Sequence, residues 1–203
     1  MSSYVDNSEL CKECSKCCNP TSVKIRLSPR DVFAIAYEKQ VSITQVLKEC
    51  CIVEIDGSFP KVWLNQTECG CVFNKNGECS LLRKPDVCAS FPRGGSIWYG
   101  ETEEVLSITC NPISETLPTE LYRNFKNTYS MNDYFLTCQR DPFFQKWKQA
   151  ISVCEMLIIG MEKESDRLEA SELAYHLLYE KYELKKGFLS QFDKNVLEFV
   201  RDR

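Results

Sequence analysis

The sequence predicts an α+β protein in which a small cysteine-cluster domain, built from short helices and antiparallel hairpins, precedes a helical C-terminal region. Three observations support this expectation. All but two of the 13 cysteines precede residue 111. Short runs of β-branched and aromatic residues between 52 and 109 favour strands, and after Pro118 apolar residues recur at helical spacing. We therefore expect two domains, with the cysteine-cluster domain over 1–115 and the helical region over 116–203.

Two short helices are predicted after the first cysteines. Segment 28–31, Ser-Pro-Arg-Asp, supplies an N-cap, a proline at the first helical position and an acid at the third, so a helix should span about 29–39. Segment 42–45, Ser-Ile-Thr-Gln, repeats the capping-box spacing. It predicts a second helix that ends at about residue 50 or 51.

A small antiparallel sheet is predicted in the middle of the chain, where Gly, Asn and Pro separate the apolar runs. The strand candidates are 52–55, 61–64, 96–99 and 105–109. The dipeptide Asn76-Gly77 is typical of a tight hairpin turn. Such a hairpin would bring Cys71 and Cys79 toward each other.

Three groups of residues at helical spacing, all apolar except Lys181, predict helices in the C-terminal third. They are Phe143, Trp147, Ile151, Cys154, Ile158 and Met161; then Leu173, Leu177, Lys181 and Leu184; and finally Phe188, Phe192, Val196 and Phe199. Gly187 should end the second of these helices. Their aromatic residues are expected to form core, and the helices are also candidates for a surface that binds a protein partner.

Charge and composition indicate a cytoplasmic protein that does not interact with membranes. The net charge is −4 with a pI near 5.3, so there is no global basic field that would attract nucleic acid. The N-terminal decapeptide lacks a signal pattern, and no apolar run is long enough to span a bilayer. In a reducing cytosol, abundant thiols are more often ligands or catalytic groups than disulfides.

A local basic run lies around the first cysteines and comprises Lys12, Lys16, Lys24, Arg26 and Arg30. Four thiolates around a divalent zinc leave a charge of about −2, which neighbouring cations stabilise. We expect this role or plain solvation, and not contact with nucleic acid. Only one histidine, His176, is present, so a metal would be held mainly by sulfur.

The spacing Cys11-x2-Cys14-x2-Cys17 is the strongest motif, because two-residue gaps let a tight turn direct successive thiolates at one metal. It opens like a bacterial ferredoxin motif, but Cys18 follows at once and makes that match incomplete. Adjacent side chains diverge along most backbones. Cys17 and Cys18 therefore indicate either two centres or one spare thiol.

Four further cysteines complete the predicted ligand set. They are Cys71, Cys79, Cys88 and Cys110, which with the first four make eight, enough for two four-thiolate sites. An iron–sulfur cluster is preferred over zinc, because the motif opens as CxxCxxC and histidine is scarce. Cys154 and Cys138 are expected to be core residues. No role is assigned to Cys50, Cys51 or Cys69.

These residues resemble the YkgJ-like cysteine-cluster family, whose members are described as zinc- or iron-chelating domains. The matching segments are CxxCxxCC at 11–18, Leu-Ser-x-x-Asp at 27–31, Cys71, the stretch from Cys79 to Cys88, the Phe-Pro pair at 91–92 and Cys110. Lys84 and Ala89 depart from the usual pattern without removing a thiol. The resemblance covers about 11–112 and implies metal chelation more firmly than any reaction.

The function expected from the sequence is therefore metal binding, through an iron–sulfur cluster or zinc, in a protein that is redox-active if the cluster is iron–sulfur. A structural zinc module whose helices bind a partner is the first alternative. A metal-dependent, methylase-like protein-modifying enzyme is the second, and it ranks last because no GxGxxG loop is present. The sequence identifies no catalytic residue and no oligomeric state.

Overall fold

The structure, a computed structural model, describes residue 18 and residues 24–68, 70–90 and 140–203. Within these residues it is an α+β protein with a helical C-terminal region, which confirms the predicted fold class. The helices are α1 (Pro29–Lys39), α2 (Ile43–Cys50), α3 (Asp86–Ser90), α4 (Pro142–Ile159), α5 (Glu164–Tyr175) and α6 (Phe188–Arg201). The strands are β1 (Cys51–Glu54), β2 (Lys61–Leu64), β3 (Gln66–Thr67), β4 (Gly70–Cys71), β5 (Asn74–Lys75) and β6 (Glu78–Cys79). The predicted domain boundary at 115/116 lies outside the described residues.

Helices α1 and α2 begin where their capping residues predict. The Ser28 hydroxyl accepts a hydrogen bond from the Asp31 backbone N–H, and the Asp31 carboxylate accepts one from the Ser28 N–H, which forms a complete capping box. At α2 the cap is one-sided. Ser42 accepts from the Gln45 backbone N–H, but the Gln45 side chain donates to Glu49 instead of returning to the cap.

Three two-stranded antiparallel sheets follow one another along the chain, pairing β1 with β2, β3 with β4, and β5 with β6. The first hairpin has the register Cys51↔Leu64 to Glu54↔Lys61, so the prediction of strands at 52–55 and 61–64 is confirmed to within one residue. The extended segment 25–27 lines the other edge of β2 through backbone hydrogen bonds. The strand candidates at 96–99 and 105–109 lie outside the described residues.

The C-terminal helices enclose an aromatic core around Trp147. Its fully buried indole contacts the rings of Phe59, Phe143, Tyr179 and Phe192 at centroid distances of 5.6 to 6.3 Å. Aromatic pairs at such distances add to the stabilisation that burial itself provides. Cys154 is also fully buried among apolar residues, as the helical spacing predicted.

Helix α5 ends in a π-helical turn over His176–Glu180, closed by the hydrogen bond from the Lys181 N–H to the His176 carbonyl. The wider turn buries three consecutive side chains, those of Leu177, Leu178 and Tyr179, which an α-helix would spread around its axis. Because the helical structure ends at Glu180, the predicted continuation of this helix to Leu184 is wrong. Gly187 does not end that helix either, because it is the N-cap of α6.

The two described halves of the chain share one buried apolar cluster. Besides the contact of Phe59 with Trp147, the Tyr179 hydroxyl donates to the Leu27 carbonyl at 3.2 Å and the Ser171 hydroxyl donates to the Ser58 carbonyl at 2.6 Å. These bonds hold the extended segment 25–27 and the loop between β1 and β2 against the C-terminal helices. Among the helices described, none has both the length and the apolar character needed to cross a membrane.

Candidate metal centre

Half of the predicted ligand set lies in the described residues. Cys71 ends β4, Cys79 ends β6, Cys88 lies in α3, and Cys18 is the described member of the N-terminal motif. The other four predicted ligands, Cys11, Cys14, Cys17 and Cys110, lie outside the described residues.

The β5–β6 hairpin places Cys71 and Cys79 on the same small scaffold, as Asn76-Gly77 predicted. Both turn residues have positive φ, 54° and 86°, which a two-residue type I′ turn requires. The Gly77 N–H donates to the Asn74 side-chain oxygen at 3.0 Å, and Asn74 pairs across the hairpin with Cys79. The turn thereby fixes the register that brings Cys79 back toward the start of the hairpin.

Backbone N–H groups point at the sulfurs of both hairpin cysteines. The N–H groups of Phe73 and Asn74 donate to the Cys71 sulfur, and the N–H of Leu81 donates to that of Cys79. Burial raises the pKa of both thiols, and these hydrogen bonds oppose that effect because they stabilise the thiolate. Hydrogen bonds to sulfur are also among the factors that set the reduction potential of an iron–sulfur cluster.

Asn74 also links the hairpin to the N-terminal cysteine motif. Its side-chain amide donates to the backbone carbonyl of Cys18 at 3.3 Å, while its oxygen accepts from Gly77. One amide side chain thus joins the turn between Cys71 and Cys79 to a residue that lies more than fifty positions earlier in the chain. Asn74 was not among the sequence-predicted site residues, and its place before Asn-Gly was the only local signal.

The C-terminal end of α1 holds the segment that leaves Cys79. Glu38 accepts hydrogen bonds from the backbone N–H groups of Leu82 and Arg83, at 2.9 and 3.3 Å. Lys39 donates to the Ser80 carbonyl at 3.2 Å. The residues directly after Cys79 are therefore fixed against a rigid helix and not against another loop.

The N-terminal end of α1 holds the start of the helix that carries Cys88. The Asp31 carboxylate accepts from the Asp86 backbone N–H at 2.9 Å, besides its two bonds from Ser28. Arg30 donates through two nitrogens to the Asp86 carboxylate at 2.8 and 3.0 Å. Helix α1 thus fixes the segments that carry Cys79 and Cys88 relative to each other, because its C-terminal end binds the residues after Cys79 and its N-terminal end binds the start of α3.

The four described thiols converge. Each of the six pairs among Cys18, Cys71, Cys79 and Cys88 is close enough for the charge of one thiolate to raise the pKa of another. The pKa shift is largest at Cys88, where burial raises the pKa well above its ordinary value and the other thiols and the neighbouring Asp31 carboxylate raise it further. Burial, followed by the charge of Asp86, also raises the pKa of Asp31 to about 7.

This donor set fits a cation that prefers sulfur. Several buried thiolates repel one another in a low dielectric, and a bound metal both deprotonates thiols and neutralises the resulting charge. In residues 18, 24–68, 70–90 and 140–203, no three Cys, His, Asp or Glu side chains lie at ligand spacing. The described residues therefore form a convergent thiol neighbourhood, not a completed coordination shell.

The remaining described cysteines have different surroundings. Cys51 is buried and Cys50 half-buried, and burial followed by the charge of Cys50 raises the pKa of Cys51 to about 12. Burial alone raises the pKa of Cys154 to about 12. Of the basic run, Lys24 forms an ion pair with Glu54, and Arg30 pairs with carboxylates. Cys69 and Cys138 lie outside the described residues.

Comparison with known proteins supplies no relative for this chain. No family model matches it, and neither a curated protein nor a solved structure matches it. The resemblance to the YkgJ-like family remains a prediction that rests on the sequence motifs.

Proposed function

We propose that this protein binds a metal through cysteine thiolates, with Cys18, Cys71, Cys79 and Cys88 as one ligand set. The single observation that carries the proposal is the convergence of these four thiols from separate segments of the chain. The N–H groups directed at two of the sulfurs support it, because such bonds favour the thiolate that a metal requires.

The other predicted ligands, Cys11, Cys14, Cys17 and Cys110, are the candidates for a second set. Adjacent cysteines diverge, so Cys17 and Cys18 are suited to different centres. The contact of Cys18 with the hairpin supports its inclusion in the set that contains Cys71 and Cys79. Cys17 would then belong with the earlier cysteines, which gives two neighbouring centres.

An iron–sulfur cluster is the preferred cofactor, since the motif opens as CxxCxxC and the ligands are all thiolates. Such a cluster supplies one-electron redox chemistry when bound. The chain's own contribution is to bury the sulfurs, direct N–H groups at them and fix their spacing through α1. A cytoplasmic location belongs to the same proposal, because it keeps the thiols reduced.

A structural zinc module is the second candidate, and the anchoring of the site favours it. Glu38, Asp31 and Arg30 tie the cysteine-bearing segments to α1, so a metal there would brace the fold directly. A protein partner would then be bound by the C-terminal helices, which expose Met156 and Leu197 to about two thirds of their areas. Metal and acid-labile sulfide content distinguishes a zinc site from an iron–sulfur site.

The proposal is tested by anaerobic purification followed by measurement of iron, acid-labile sulfide and zinc. Iron with sulfide supports the cluster, and about two zinc ions per chain support the structural module. Cys71→Ser should lose metal, whereas Cys154→Ser should retain it, because Cys154 packs in the helical core. A folded wild-type protein without metal would overturn the proposal.

The two-centre arrangement is tested by the single variants Cys17→Ser and Cys18→Ser. Each should lose a different part of the metal content, and the double variant should lose both parts. Complete loss in Cys17→Ser with no change in Cys18→Ser would exclude Cys18 as a ligand. That result would leave one centre built from the earlier cysteines.

A further inference from the structure

Arg30 is the one described residue whose side chain bonds both to the Cys88 helix and to the start of the C-terminal helices. Its Nε and Nη2 donate to the Asp86 carboxylate, and its Nη1 donates to both oxygens of Asp141, at 2.8 and 2.6 Å. The guanidinium also lies over the Phe143 ring at 4.5 Å. The side chain is only 13% exposed, so these contacts are shielded from water.

Each carboxylate that Arg30 binds occupies the start of a helix. Asp86 is the first residue of α3, two positions before Cys88. Asp141 is the N-cap of α4, where it accepts from the Phe143 backbone N–H at 2.9 Å. A shift of either helix therefore changes the geometry of the hydrogen bonds that Arg30 makes to both carboxylates. Such charge-assisted hydrogen bonds are about twice as strong as neutral ones.

We propose that Arg30 is a positioning residue that couples the thiolate site to helix α4, so that metal binding and the packing of α4 stabilise each other. This inference rests on the proposed metal binding. Metal at Cys88 fixes α3, α3 fixes Asp86, and Asp86 orients the guanidinium that holds the cap of α4. The coupling works equally in the other direction, because linkage between two sites is reciprocal.

The planar fork of arginine is essential to this role. One guanidinium bonds to two carboxylates through separate nitrogens, whereas a lysine ammonium is a single point charge. Arg30→Lys should therefore keep the local charge but lose the connection to one helix. Asp141→Asn tests the far end of the connection, because asparagine is also a good N-cap and α4 can still begin there.

The chain provides a matched control in Arg83. Arg83 also forms an ion pair with Asp86, at 3.4 Å, but its side chain is 54% exposed. Its side chain donates to Asp86 and its backbone N–H donates to Glu38, and both partners lie on the thiolate site's side of the connection. Arg83→Gln thus removes a charge from the same carboxylate without removing the bond that Arg30 makes to Asp141.

The experiment measures zinc affinity by competition with a chelator, and amide hydrogen exchange in α4 with and without zinc. We expect Asp141→Asn and Arg30→Lys to weaken zinc binding about five- to tenfold, within the usual range for coupled sites. Zinc removal should speed exchange in the first turns of α4 in the wild type and in Arg83→Gln. This zinc dependence should disappear in Asp141→Asn and Arg30→Lys.

The outcomes separate this inference from the metal-binding proposal. Wild-type zinc affinity in both variants, with exchange in α4 that does not depend on zinc in the wild type, overturns the coupling and leaves metal binding intact. Failure of the wild-type protein to bind zinc or iron overturns metal binding and the coupling with it. A double variant, Arg30→Lys with Asp141→Asn, should lose no more affinity than either single variant, because both changes break one connection.

Discussion

The cysteine-bearing segment 66–90 and the C-terminal helices are stabilised in different ways. Among the described residues, the six largest fully buried side chains all belong to the C-terminal region: Trp147, Tyr179, Phe143, Phe144, Phe192 and Phe199. Segment 66–90 contributes Cys71, Phe73 and Leu81 to the buried apolar set, and its four strands have two residues each. Isolated two-stranded hairpins are marginal in water, so this segment depends on its anchors.

The difference teaches where a metal would matter most. Apolar burial stabilises the helices whatever the cysteines bind, whereas the segment with the thiols is fixed by hydrogen bonds to α1 and, as proposed, by a metal. Metal-binding free energy is folding free energy in small sites of this kind. Chelation should therefore destabilise mainly segment 66–90, whereas loss of aromatic packing should destabilise mainly the C-terminal helices.

The largest expected effect is that of metal removal. Chelation should accelerate amide exchange throughout 66–90 while α5 and α6 stay protected, because zinc stabilises small thiolate sites by about 10 kcal/mol or more. Exchange monitored by mass spectrometry in the presence and absence of chelator resolves the two regions. Equal protection of 66–90 in both states would mean that its anchors suffice without metal.

Metal affinity should also depend steeply on pH. Burial raises the pKa of Cys71, Cys79 and Cys88 above the ordinary thiol value, so at neutral pH these groups are protonated in the metal-free protein. Each must release its proton to bind, so affinity should fall about tenfold per thiol, or about a thousandfold for three, for each pH unit of acidification. Chelator competition at pH 6, 7 and 8 measures the slope, and Cys154→Ser should not alter it.

Loss of aromatic packing should have a large effect of the opposite kind. Trp147→Ala should lower the free energy of unfolding by about 3–5 kcal/mol, since it removes a fully buried indole and leaves a cavity. Denaturant titration measures the loss, with Leu197→Ala at an exposed position of α6 as the control. Metal content per folded chain at saturating zinc should stay at the wild-type value, because the coupling through Arg30 changes zinc affinity by only about tenfold. Loss of metal at saturating zinc would show that the two regions are not separable.

The smallest expected effect concerns the hairpin turn. Gly77→Ala places a side chain at a φ of 86°, which should cost about 1–2 kcal/mol and weaken metal binding by shifting Cys79 relative to Cys71. Asn76→Gly, at the neighbouring position with a φ of 54°, should be nearly neutral. Thermal unfolding of the loaded protein compares the two variants. Equal behaviour of both would argue against a type I′ turn.

Much of the fold could be predicted because local signals agreed with the final structure. The capping residues Ser28 and Ser42 located α1 and α2, and Asn76-Gly77 located the hairpin. The π-helical turn could not be predicted, because it occurs together with a tertiary bond from Tyr179 to Leu27 that helical periodicity does not encode. Local rules of helix spacing carry no information about a contact between residues so far apart.

The candidate site shows the same division. Thiol spacing was sufficient to nominate Cys71, Cys79 and Cys88, but not to find the residues that hold them. Asp31 was recognised as a capping residue of its own helix, and its second role toward Asp86 depends on a tertiary contact. Arg30 was grouped with a basic run, although in the structure it lies between two carboxylates.

The π-helical turn has a consequence for the length of the chain at this point. A π-turn corresponds to an α-helix with one residue inserted. Each residue of an α-helix rotates the chain about the helix axis by about 100°. Deleting one residue from His176–Glu180 would restore regular spacing but rotate everything before it relative to everything after it. Either the Ala170 and Ala174 face of α5 or the Tyr179 hydroxyl bond to Leu27 would then leave its place. The extra residue thus works as a rotational adjustment that allows one helix to serve two differently oriented neighbours.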